Sequence, residues 1–78
     1  MESKEQKIAW LNSVPHLTWG REEALGGRVA YRGIHKLEGK KPHSWYYSNP
    51  ADDEELCLER FVTSIKKYLS LSDNGLRS

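Results

Sequence analysis

The chain has 78 residues, a formal net charge of +1 at pH 7 and one cysteine, Cys57. That length accommodates one domain, residues 1–78, with one core, and a single thiol excludes an intramolecular disulfide and hence a disulfide-stapled secreted scaffold. A nearly cancelled total charge also excludes bulk electrostatic attraction to nucleic acid or to an anionic membrane, so any such attraction has to be local.

The first residues, Met1 to Gln6, are charged and polar where a secretory signal needs an apolar run, and no stretch approaches the roughly 18 apolar residues of a membrane span. A soluble, cytoplasmic protein is expected. A first helix is predicted to begin after Ser3, which caps the free amides of the first turn while Gln6 reaches back in a capping box. Ile8, Trp10, Leu11 and Val14 form its broad apolar side, and Pro15 ends it by driving the preceding residue out of the helical region.

From His16 to Gly27 the expectation is a short helix capped by Thr18, running through Arg21 to Leu25 and closed by Gly26 in the left-handed conformation. The alternative is a short strand at His16–Trp19 followed by loop. Arg28–Leu37 and His43–Ser48 are predicted as two strands joined at Glu38-Gly39-Lys40-Lys41, because Val29, Tyr31, Ile34, Trp45, Tyr46 and Tyr47 favour strands. A competing reading places Val29, Ala30, Gly33, Ile34 and Leu37 on one helix face. Gly33 weakens either element; in a strand it marks a bulge or a close backbone approach.

A long C-terminal helix is predicted with Asn49 as cap and Pro50 at its first position, where a missing amide costs nothing. Asp52 to Glu55 complement its positive pole, and Leu58, Phe61, Val62, Ile65 and Leu69 form its buried stripe. Leu56 falls on the polar side. A frayed tail is expected over 72–78. The predicted architecture is a small α+β domain in which a β-hairpin packs on the C-terminal helix and the N-terminal helix closes the core.

If both ambiguous segments are helical, the layout becomes a winged helix-turn-helix, with Arg28, Tyr31, Arg32, His35 and Lys36 on a recognition helix and Lys40 and Lys41 in the wing. Over about ten residues, Leu17-Thr18 to Glu23-Ala24-Leu25-Gly26 resembles the opening motif of small phage excisionases. The next segment departs from that pattern, lacking a Ser/Thr start and containing Gly33, and the family is not assigned.

Charge is sorted along the chain. Residues 28–43 hold five basic residues and one acid, Glu38, whereas residues 52–59 hold five acids and no base. A turn centred on Gly39 and Lys40 pairs Ile34 with Trp45, Arg32 with Tyr47 and Lys36 with His43, which puts all six on one face. Tyr31, Gly33, His35, Ser44, Tyr46 and Ser48 take the other. Guanidinium, ammonium and flat rings on one surface suit nucleic acid, since cations meet phosphates and rings stack on bases. Arg28, Arg32, Lys36, Lys40, Lys41, Trp45 and Tyr47 are therefore the candidate nucleic-acid contacts. The bland reading makes Ile34, Trp45 and Tyr47 core residues beneath the C-terminal helix.

The alternative partner is a protein. Asp52, Asp53, Glu55, Leu56 and Glu59 form an acidic surface with one exposed leucine, able to steer and anchor a basic partner as accessory or inhibitory proteins do. A solvated helix face is its ordinary counterpart. A monomer or a homodimer with tryptophans at a two-fold interface is expected.

No catalytic residue, cofactor or metal is expected. His16, His35, His43 and Cys57 lack the paired spacing of a zinc site, Cys57 sits among acids that raise a thiol's pKa, and Gly26-Gly27-Arg28 is no phosphate loop. The expected function is a non-enzymatic binding or regulatory protein, with nucleic acid as the first-choice ligand.

Overall fold

Ser3 caps the first helix, α1 (Lys4–Ser13), in the computed structural model. Its hydroxyl accepts the Gln6 amide at 3.2 Å, and the Gln6 side chain accepts the Ser3 amide at 2.8 Å. These reciprocal bonds satisfy two of the amides that a helix start leaves open. Val14, ahead of Pro15, is already extended. The structure describes residues 3–77, with side chains described through Leu71, and the tail expected at 72–78 lies outside those side chains.

After α1 come strands β1 (Leu17–Ala24), β2 (Arg28–His35) and β3 (His43–Pro50), a single 3-10 turn (Ala51–Asp53) and the long helix α2 (Glu54–Arg77). The strands form one antiparallel sheet in the order β1-β2-β3. The α+β architecture is as expected, with three strands where a two-stranded hairpin was predicted.

The extra strand is the segment predicted as a short helix. Only Leu17 and Trp19 give β1 an apolar alternation; further along, Arg21 and Glu23 hold the same inward positions, so its pattern fades into charge. Gly26 does take the left-handed conformation, with φ of 79°, but it does so beside Gly27 (φ 72°) in a tight hairpin loop. Glycine permits that geometry because it lacks a Cβ. With residues 17–24 and 28–35 both extended, the winged helix-turn-helix layout and the excisionase likeness are ruled out.

The β2–β3 register is also shifted by one residue from the expectation. Gly33 pairs with Trp45, Arg32 with Tyr46 and Tyr31 with Tyr47. The loop is not a two-residue turn: residues 36–42 separate the strands, with Gly39 (φ 77°) at the centre. Pro42 has no amide to give to a ladder, which helps end the pairing at His35 and His43. Because side chains alternate with period two, a one-residue slip sends each β3 side chain to the opposite face.

The start of α2 is likewise displaced. Asn49 still belongs to β3, buried opposite Val29, and Pro50 precedes the 3-10 turn, so neither serves as predicted. The helix then lies across one face of the sheet. Leu58, Phe61, Val62 and Ile65 are buried there with Leu11, Tyr31, Trp45 and Cys57. Phe61 explains Gly33: a Cβ at that position would meet the Phe61 ring at 2.8 Å. The ring stacks on Tyr31, which stacks in turn on Trp19.

Candidate functional site

Helix α2 covers only one side of the sheet. Strand alternation sends Leu17, Trp19, Val29, Tyr31, Gly33, Trp45 and Tyr47 towards it, and among the described residues no element covers the opposite, outward face. Along the central strand β2, this outward face carries Arg28, Ala30, Arg32 and Ile34 in sequence. Lys36 continues the alternation, its amide bonded to the His16 carbonyl at 3.2 Å. Arg28, Arg32 and Lys36 thus recur every fourth residue along one line, roughly 13 Å apart at strand rise.

Each outward row has three members. Gly20, Arg32 and Tyr46 form one; Thr18, Ile34 and Ser44 form the next. The Arg32 guanidinium lies over the Tyr46 ring, 5.3 Å from its centroid, and donates to Glu22 Oε1 at 3.2 Å. Arg28 donates to the Ser48 hydroxyl and carbonyl at 3.2 and 3.0 Å. Tyr46 and Ile34 remain 52% and 44% exposed. On one side of Arg32 is a shallow depression of about 220 Å³ bordered by Thr18, Gly20, Glu22 and Ile34; on the other is one of about 530 Å³ bordered by Ser44 and Tyr46. Nothing lies within 4 Å of where a Gly20 Cβ would be. Lys40 and Lys41 are exposed in the β2–β3 loop, which closes through the Lys40 amide and the Leu37 carbonyl.

The shifted register therefore divides the predicted nucleic-acid residues. Arg28, Arg32, Lys36, Lys40 and Lys41 are exposed. Trp45 and Tyr47 are not beside them: Trp45 is buried against His43 and Tyr68, and the Tyr47 hydroxyl is 2.6 Å from that of Ser64 on α2. Tyr46, assigned by sequence to the other face, is the aromatic that joins the arginines. The signal for it was indirect: Gly33 fits beneath Phe61 only if it faces the helix, which turns Arg32 outward, and the pairing of Arg32 with Tyr46 brings that ring to the same face.

The acidic candidates do converge. Asp52, Asp53, Glu55, Leu56 and Glu59 all border one groove of about 570 Å³ between α1 and α2, with Val62 in its wall and Lys7 and Lys66 also lining it. Glu54, in the same acidic run, is drawn elsewhere. It accepts two bonds from Arg21 (2.9 and 3.0 Å), one from the Tyr31 hydroxyl (2.8 Å) and an ion pair from Lys4 (3.0 Å). Led by the Arg21 bonds and then by Tyr31, these contacts hold the Glu54 carboxyl down at about 2. Burial, reinforced by the bond to Glu54, pushes Tyr31 up to about 12.

Three histidines gather near the β2–β3 loop. His35 and His43, expected on opposite faces, are direct cross-strand partners, both in contact with the Tyr68 ring; His16 meets His35 edge-on. Among the described residues, no group of three or more His, Cys, Asp and Glu side chains is arranged to hold a metal ion. The Cys57 thiol is fully buried and donates to the Tyr47 carbonyl at 3.2 Å, and burial pushes its pKa up. Among the described residues, no helix is long and apolar enough to cross a membrane.

Comparison with protein-family models, with curated proteins and with solved structures finds no match for this chain.

Proposed function

We propose that the protein is a non-enzymatic binding protein that takes nucleic acid on the outward face of its sheet. The observation that carries this reading is the line of Arg28, Arg32 and Lys36 along the central strand, extended by Lys40 and Lys41 in the adjoining loop. Exposed cations at regular intervals track a phosphate backbone. Among the described residues Glu22, Glu23 and Glu38 are the nearby acids of the strands and loop, and the acids of residues 52–59 belong to the 3-10 turn and α2. The lone buried thiol suits a reducing, cytoplasmic setting.

The test is fluorescence anisotropy of labelled DNA and RNA titrated at several salt concentrations. Three to five phosphate contacts give a log–log slope between about −2 and −4.5, at about −0.7 per contact on single strands and −0.9 on duplex DNA. Lys40→Glu/Lys41→Glu weakens binding, and Lys36→Gln reduces the slope by about one contact. Absence of binding at low salt, where surface electrostatics are strongest, rejects the proposal.

One observation favours a second reading. Asp52, Asp53, Glu55, Leu56 and Glu59 border a single groove, a geometry suited to a basic segment of a partner protein. Association through it is steered by charge and anchored at Leu56. Leu56→Asp abolishes such an interaction and leaves nucleic-acid binding intact.

A further inference from the structure

The outward face carries a more specific assignment, which rests on the nucleic-acid reading above: we infer that its ligand is single-stranded, held by base stacking on Tyr46 and by phosphate contacts along Arg28, Arg32 and Lys36.

Three features argue for a strand rather than a duplex. First, the basic surface is the broad side of a three-stranded sheet. The undistorted duplex major groove admits an α-helix or a two-stranded ribbon, and the face of a three-stranded sheet backed by α2 is wider than either, so it takes a single strand without the cost of deforming a duplex. Secondly, the face presents a ring. Tyr46 is half-exposed with Arg32 against it, and a ring paired with a guanidinium offers stacking to an unpaired base, whose flat surfaces are free only outside a duplex. Thirdly, the row that holds Tyr46 and Arg32 ends at Gly20. Without a side chain there, the floor of the depression beside Arg32 stays open, and Thr18 and Ile34 border it. A planar group laid over Arg32 fits that gap.

Charge complementarity selects the occupant. Five cations on this face and its loop are exposed. Lys36, Lys40 and Lys41 have no ion pair among the described residues, while Arg32 has one with Glu22 at the surface. Exposed pairs of that kind hold with about 1 kcal/mol or less, so a phosphate readily displaces Glu22. An apolar or cationic ligand gains nothing from this arrangement.

The test compares a labelled oligothymidine, the same strand made abasic, and a mixed-sequence duplex, using the full chain and three variants. Tyr46→Ala weakens oligothymidine binding by roughly 5- to 140-fold, the range that one stacked base supplies; Tyr46→Phe restores it, and the abasic strand, which keeps phosphates but has no bases, does not distinguish Tyr46→Ala from the parent. Gly20→Val, whose Cβ has open space beyond its chain neighbours and which improves strand propensity, also weakens oligothymidine binding while leaving or raising thermal stability. Duplex binding as tight as single-strand binding and unaffected by Tyr46→Ala overturns the inference but leaves the nucleic-acid reading in place. No binding of any of the three probes overturns both.

Discussion

Glu54 shows how one side chain organises an entire end of this molecule. It sits in a run of four acids, yet it alone turns inward, receiving Arg21 from β1, Tyr31 from β2 and Lys4 from α1. Its carboxyl is held at about 2, below the ordinary 4.5. The stabilisation this represents is therefore present above pH 4.5 and is lost as pH falls towards 2. Urea unfolding of the parent across that window is expected to show a midpoint that drops with acid, whereas Glu54→Gln is less stable at neutral pH and flatter below it. Parallel curves contradict the role. Gly33 makes a different kind of demand, for space. Gly33→Ala forces the Phe61 ring aside and is expected to cost about 1–3 kcal/mol, the usual range for overpacking a core, seen as a lowered melting temperature. An unchanged melting temperature shows that the ring has room to move.

At the level of elements, what the sequence discloses depends on how local the determinant is. The α1 cap is written within four residues, Ser3 to Gln6, and the stripe Leu58–Phe61–Val62–Ile65 is periodic in its own helix, so both were legible. The strand β1 was not, because half of its inward side is Arg21 and Glu23: Arg21 is held by Glu54, more than thirty residues away, and Glu23 pairs in turn with Arg21. The β2–β3 register depends on how many residues the loop contains, and the face that β2 turns to the helix depends on a contact between Gly33 and a ring of α2. Neither is local. That single shift decided which aromatics belong to the candidate site: Trp45 and Tyr47 left it and Tyr46 entered. Paired substitutions test the register by stability alone. Trp45→Ala is expected to cost about 3–5 kcal/mol, as for a buried aromatic, and Tyr46→Ala about 1 kcal/mol or less. The reverse order restores the register inferred from a two-residue turn.

Taken whole, the molecule separates its charges between two sides of a sheet. The helical side carries the groove edged by Asp52, Asp53, Glu55 and Glu59; the outward side carries Arg28, Arg32 and Lys36, with Lys40 and Lys41 beyond. A total of +1 conceals this division. It also makes the two sides distinguishable by experiment, because each has its own exposed apolar marker: Ile34 on the sheet, Leu56 at the groove. Methyl-detected NMR of the protein titrated with oligothymidine reads both in one spectrum. The account predicts that the Ile34 methyls and the Tyr46 ring protons shift in proportion to bound ligand while Leu56 and Val62 stay still. Shifts at Leu56 and Val62 with Ile34 and Tyr46 unmoved contradict it.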